Sequence, residues 1–220
     1  MSKYVNYLLL SAIIACMPLV SFAGTNLAPD DPVGISFWII SVAMVAATAF
    51  FFLESLRVQG KFRTSLVVGG LICLVAGVHY FYMREVWAAT GSSPTVFRYV
   101  DWIVTVPMQM IEFYLILAAV TAVSLGVFWR LLIGTVVMVV AGYLGEAGFI
   151  DTTIGFVVGM AGWAYILYEI FSGEASASAS KAAPAVQSAF NTMKWIVTIG
   201  WAIYPLGYFL GYLAGGTDDA

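Results

Sequence analysis

The sequence predicts an all-α membrane protein, and three observations carry that expectation. Of its 220 residues, 62% are hydrophobic and only 10% charged, and the mean hydropathy is +0.95, far from that of a water-soluble domain. Apolar stretches long enough to cross a bilayer, which takes about 20 residues, recur along the chain. Most ionisable residues collect at the ends of these stretches, with a few inside them. The net charge of −3 is small, and no basic run suggests a nucleic-acid partner. Cys16 lies near the start and Cys73 in an apolar stretch, so no disulfide framework is expected, and no metal site either.

Residues 1–23 read as a secretory signal. Lys3 gives a positive start, residues 8–20 an apolar core, and Ser21, Phe22 and Ala23 a small-x-small cleavage site before Gly24. A first membrane helix is the competing reading, against which stand the short run and Pro18. A lipoprotein-type signal ending at Cys16 is a further alternative. Residues 24–220 then form one transmembrane domain. An acidic arm at 25–32 leads into six expected spans near 35–56, 64–84, 96–119, 129–144, 152–171 and 192–214. Connections are short except 172–188, whose GEASASASKAAPA composition reads as a flexible linker.

Orientation follows from the distribution of Lys and Arg, which are in excess on the cytoplasmic side. Arg57, Lys61, Arg63, Arg130, Lys181 and Lys194 all fall on one side of an alternating six-span topology. The other side carries Arg84 with Asp30, Asp31, Glu85, Glu146, Asp151, Asp218 and Asp219. The N-terminus is therefore expected outside.

The third span, RYVDWIVTVPMQMIEFYLIL, holds the most informative residues: Asp101, Thr105 and Glu112. Ionisable groups within a membrane span are expensive and usually serve a task such as a proton relay. Asp101 and Glu112 lie about three turns and roughly 16 Å apart on nearly the same face, with Arg98 and Thr105 within about 60° of that line. One carboxylate thus faces each side of the membrane, with room between for a proton carrier. That is the layout of a proton pump. The blander reading of Asp101 is a carboxylate merely paired with Arg98 one turn away, yet a buried ion pair rarely improves on apolar packing. Glu112 has no basic residue within a turn on its own helix, which suits a proton donor; the alternative is a hydrogen bond between helices.

His79, the only histidine, sits mid-span in LICLVAGVHYFYM. It is either a satisfied interface group or a modulator of a nearby carboxylate; the residues alone leave both readings open. In the sixth span, GWAIYPLGYFLGYL places Trp201, Tyr204 and Tyr208 on one face, with Pro205 permitting a kink. Lipid-facing rings would use the same spacing, usually at the membrane interfaces. These lie deeper, and suit the wall of a pocket for a flat conjugated ligand, to which Trp102 and Trp163 add further walls. Gly207 and Gly211 form a GxxxG pair, a helix-packing signal.

Taken together, RYVDWIVTVPMQMIEFYLIL, GWAIYPLGY and the second-span histidine resemble the microbial rhodopsins, and among them the proteorhodopsins of marine bacteria. The resemblance runs along the chain in order. It implies a seven-helix bundle, of which six helices are present here, around all-trans retinal bound to a lysine as a protonated Schiff base. It implies a light-driven outward proton pump rather than an enzyme, in a bacterial plasma membrane, acting as a pentamer or hexamer. By resemblance Asp101 is the counterion and primary proton acceptor, and Glu112 the cytoplasmic donor. Arg98 stabilises the counterion complex, His79 tunes Asp101, and Thr105 completes the Asp-Thr-Glu signature of outward proton pumps. Gln109 falls at the colour-tuning position, where glutamine implies the blue-absorbing type. Trp102, Trp163, Trp201, Tyr204, Pro205 and Tyr208 match retinal-pocket positions.

The attachment lysine of that family sits in the seventh helix. Lys3, Lys61, Lys181 and Lys194 are none of them mid-span, so it is expected beyond residue 220, and the 220 residues as written are expected to form no covalent pigment. Two other classes compete: a photosensory rhodopsin signalling through a membrane partner, which would not need Glu112, and a retinal-free carrier or structural bundle, which leaves the Asp101, Thr105, Glu112 spacing unexplained.

Overall fold

A computed structural model of the chain describes residues 28–215; the expected signal at 1–23 lies outside the described residues. Among the described residues six helical segments are long and apolar enough to cross a membrane. Large apolar side chains such as Ile39, Phe50, Trp129 and Ile154 point outward, each more than half exposed, as a lipid-facing surface requires. The chain divides into two units, Met1–Gly91 and Ser92–Ala220.

In the first unit α1 (Pro32–Arg57) packs on α2 (Phe62–Thr90). Asp31 caps α1: its Oδ1 accepts the amides of Val33 at 3.0 Å and Gly34 at 2.9 Å, and Pro32 sits at the first helical position, where it sacrifices no bond. Oδ2 of the same carboxylate accepts the Trp87 indole N–H at 2.9 Å, tying the start of α1 to the end of α2. These bonds hold the Asp31 carboxyl below its ordinary range, the Gly34 amide first, then Trp87, against a smaller opposing effect of desolvation. Rings interlock along the pair, Phe37 on Tyr80 and Trp38 on Phe81. Arg84 is buried, stacked 4.8 Å over the Trp38 ring and paired with Glu85. α2 runs six residues past its expected end because Glu85–Thr90 continues in helix-compatible residues until Gly91, whose φ of 66° stops it.

The second unit contains α3 (Thr95–Val120), α4 (Leu125–Glu146), α5 (Thr152–Phe171), a short α6 (Glu174–Ala179) and a sixth span of mixed helical type. That span begins with α7 (Pro184–Trp195), passes through a π-type turn (Ile196–Gly200), α8 (Ile203–Tyr208) and a second π-type turn (Phe209–Leu213). Met110, Phe113, Leu117, Leu131, Ile166 and Ile170 form the buried core, with Phe190 and Val197 closing it from the sixth span. α4 and α5 approach closely through glycines. A Cβ on Gly162 would lie 2.8 Å from both the Gly134 carbonyl oxygen and the Met138 nitrogen.

The flexible linker expected at 172–188 is not what forms. Six of those residues make α6, and α7 begins at Pro184 rather than near 192. Alanines favour helix here, and Ala175 and Ala179 are buried. Pro184 occupies the first helical position. Gln187 Nε2 bridges the Ser180 and Ala182 carbonyls at 3.1 and 2.8 Å. Arg130 completes the staple: its Nε donates to Glu169 at 2.8 Å and its Nη2 to Glu174 at 2.7 Å, while Glu169 Oε1 accepts the Ala175 amide at 2.9 Å. Composition alone could not reveal a buried glutamate holding the connection down.

Candidate functional site

α3 carries the site, and its sequence explains which face turns inward. Asp101 and Thr105 are both 3% exposed, while Val100, just before them, and Ile103 and Val104, between them, are exposed. The Thr105 hydroxyl donates to the Asp101 carbonyl oxygen of its own helix at 3.1 Å. Pro107, buried in the middle of α3, cannot donate to the carbonyl four residues earlier, so the helix loses a rung between the two carboxylates. Gln109 and Glu112 follow toward the C-terminal end of the helix, each half-buried.

Rings from the third and sixth spans meet near Asp101. Trp102 meets Tyr204 edge-on at 4.6 Å between ring centroids, and Tyr99 meets Trp102 in the same manner at 5.0 Å. Tyr204 lies near both Asp101 and Arg98. Trp201 packs against the buried core. Trp163 donates its indole N–H to the Val197 carbonyl at 3.3 Å, within the first π-type turn. Pro205 lies one residue past Tyr204, whose amide bonds the Trp201 carbonyl three residues back, so the chain tightens there.

Tyr208, one turn past Tyr204 in α8, makes its contacts with α5. It is buried, its ring 5.3 Å from Phe156, and its hydroxyl donates to the Thr152 carbonyl at 2.8 Å at the start of α5. The hydroxyl passes over Gly145 and Gly155, where a Cβ would collide with it. Trp201 precedes α8, beyond the first π-type turn, while Tyr204 and Tyr208 lie one turn apart within it.

Arg98 has a partner the sequence reading did not single out for it. Its Nη2 donates to Glu146 Oε2 at 2.7 Å, and the Tyr99 hydroxyl donates to Glu146 Oε1 at 2.5 Å. The Glu146 side chain is 4% exposed and that of Arg98 32%. The Arg98 guanidinium also lies 5.4 Å over the Trp102 ring. Tyr99 was missed altogether; an aromatic residue beside an arginine at a span's polar end was the only signal. An apolar groove of about 330 Å³ runs between α3 and α4 past Val96, Tyr99, Val139 and Tyr143. None of the expected site residues lines it.

His79 lies in the first unit on α2, half-buried, with Nδ1 3.0 Å from the Val75 carbonyl oxygen one turn back. Of the lysines within residues 28–215, Lys61 and Lys181 stand at helix ends, and the Lys194 ammonium lies 4.5 Å from the Phe171 ring.

A sequence model described as bacteriorhodopsin-like protein matches residues 31–219. The chain is 53% identical over 209 residues to the blue-light absorbing proteorhodopsin of gamma-proteobacterium Hot 75m4, covering 95% of this chain and 83% of that relative. It is 50% identical over 213 residues to the green-light absorbing proteorhodopsin of gamma-proteobacterium EBAC31A08, covering 97% and 85%. Among solved structures it superposes on the blue light-absorbing proteorhodopsin from Med12 with a TM-score of 0.73 at 52% identity, over 86% of each chain. On the Exiguobacterium sibiricum rhodopsin the TM-score is 0.74 at 30% identity, over 84% of this chain and 83% of that one.

Proposed function

The chain belongs to the bacteriorhodopsin-like family, with the all-α rhodopsin fold in a multi-pass membrane protein, and on that premise we propose that it is a light-driven outward proton pump of the blue-absorbing type. The observation that carries this reading is a buried carboxylate, Asp101, on the same span as a second acid, Glu112, and separated from it by a proline-weakened stretch of helix. The expected orientation, N-terminus outside in a bacterial plasma membrane, puts Asp101 in the outer half and Glu112 in the cytoplasmic half.

These residues fit retinal. The Trp102 and Tyr204 rings stand edge to face beside a buried acid, which offers apolar walls to a polyene and a negative charge to its cationic nitrogen. Trp102, Trp163, Trp201, Tyr204, Pro205 and Tyr208 would hold it, with Thr105 and Gln109 along the same helix and Gln109 setting the colour. When bound as a Schiff base, it would supply a nitrogen base whose proton affinity light switches.

The protein's own groups do the rest. Asp101, ionised, accepts the proton on the outer side, and Glu112, protonated, supplies the next one from the cytoplasmic side. Arg98 keeps Asp101 ionised between cycles, and His79 tunes Asp101, a role that rests on the resemblance. A general acid or base in place speeds a proton transfer by about 10²–10⁴, which is why both ends of the path need a resident group. The decisive test is illumination of unbuffered cells that express the complete gene product with all-trans retinal. A pump acidifies the medium, and a protonophore abolishes the signal. A visible absorption band without acidification would instead identify a photosensor, and no band at all a retinal-free bundle.

A further inference from the structure

Where α5 ends and the sixth span begins, the second unit holds a cation that no step above uses. Lys194 stands on the last turn of α7, half-buried, with its ammonium 4.5 Å from the centre of the Phe171 ring at the end of α5. The Trp195 ring meets Phe171 nearly edge-on, with 5.7 Å between centroids. The ring quadrupole attracts the ammonium, so a flexible lysine stem is settled between two helices. A ring carries no net charge, however, and an ammonium has three N–H donors to give. Among the described residues no carboxylate pairs with Lys194. The other cations of this unit are differently placed. Arg98 is paired with Glu146, and Arg130 with both Glu169 and Glu174. Lys181 is exposed on the connection between α6 and α7.

Depth in the membrane gives this cation its meaning. Phe171 lies 19 residues from Thr152 at the start of α5, and Lys194 lies 19 residues from Leu213 at the end of the sixth span. Each distance is about 28 Å along a helix. Both spans therefore bring the cluster to the same edge of a hydrocarbon layer of roughly 30 Å, the level at which tryptophan collects. Trp195 is 53% exposed, and its indole N–H meets no acceptor among the described residues. Along the face that carries Trp195, the exposed side chains change character. Ser188, Asn191 and Thr192 precede it, and Ile196 and Ile199 follow it toward the membrane interior. Polar groups, then a settled cation, then an apolar strip repeat the order of groups in a phospholipid, whose phosphate complements the charge.

We propose that Lys194, seated on Phe171 and joined by the Trp195 indole, binds the phosphate of one anionic phospholipid. The lipid belongs to the leaflet at this end, the cytoplasmic one in the proposed orientation. Its phosphate oxygens accept from the ammonium and the indole N–H, and its chains lie along Ile196 and Ile199. A zwitterionic headgroup covers the same phosphate with a cation of its own, so the site prefers a headgroup without one. The proposal goes beyond the pump reading and does not rest on it, since a photosensor or a retinal-free bundle would carry the same cluster.

The test titrates phosphatidylglycerol into the full-length protein in mild detergent, with phosphatidylcholine as the zwitterionic control, and counts retained lipids by native mass spectrometry. In micelles the diffuse attraction of basic loops to a charged leaflet is gone, so only seated lipids remain. Wild-type protein should retain one phosphatidylglycerol in preference to phosphatidylcholine. Lys194→Gln should weaken that binding about fivefold, the contribution of one lysine at an anionic surface, and Lys194→Arg should keep it. Trp195→Phe, which removes the N–H and keeps a ring, should weaken it about threefold. Lys181→Gln deletes the same charge from the connection and should leave it unchanged. Equal losses in Lys194→Gln and Lys181→Gln, or wild-type binding in either Lys194→Gln or Trp195→Phe, overturn the site. So does displacement of the lipid by millimolar inorganic phosphate, which would make it a free-anion site. If Lys194→Gln does not fold, the wild-type titration decides, since equal retention of the two lipids is fatal. The acidification assay is separate from all of these, so failure of the site and failure of the pump reading are told apart.

Discussion

In the proposed pump, Asp101 takes a proton only while it is ionised, and its charge would also stabilise a cationic chromophore in the dark state. Asp101→Asn should therefore abolish pumping and move the absorption maximum to the red. Acidifying the wild type should produce the same red shift by titrating the same group. Spectra recorded from neutral to acid pH check this, and a persisting acid shift in Asp101→Asn would reassign the counterion. Glu112→Gln should leave the colour almost unchanged and slow ground-state recovery about 100-fold, the contribution of a lost general acid; flash photolysis reads it directly. Both acids are legible in the sequence because an apolar span has few places to hide a carboxylate. Tyr99 and the Glu146 pair are not, since which donor meets which acceptor depends on how α3 and α4 are rotated, and no periodicity records that rotation.

Among the elements, α1 and the α4–α5 pair give the clearest tests. The Asp31 carboxyl is held below its ordinary range by the Gly34 amide and the Trp87 indole. A group depressed in the folded state stabilises above its unfolded affinity and loses that contribution as pH falls through its folded one. Thermal stability should thus drop as the pH falls from about 4 downward, and Asp31→Asn should flatten that part of the profile. Gly162→Ala should destabilise the α4–α5 pair by about 1–3 kcal/mol, since the added methyl meets backbone atoms that cannot move aside. Arg130→Gln should cost about 2 kcal/mol, below the range for fully buried pairs because Arg130 is a third exposed. Denaturant or detergent-unfolding midpoints measure both. The spans were legible from hydropathy, whereas their ends were not: Gly91 and Pro184 set boundaries through backbone chemistry at positions that hydropathy ignores. In the sixth span the spacing of the rings was legible, but not their partners: Tyr204 meets Trp102 of α3 and Tyr208 bonds the Thr152 carbonyl of α5, one turn apart in the same short helix.

For the molecule as a whole, the membrane class follows from composition and needs no particular residue. The Arg130 staple and the Glu146 pair have a consequence of another kind. They fasten charged clusters near both ends of α4 about 24 Å apart, less than the roughly 30 Å of hydrocarbon in a typical bilayer. Neither cluster can be drawn into lipid tails without stripping water from ions. The surrounding acyl layer must therefore pinch toward the protein, and least so when α4 stands close to upright. Short-tailed phospholipids should raise the melting temperature and long-tailed ones lower it, so this protein carries its own preference for thin membranes.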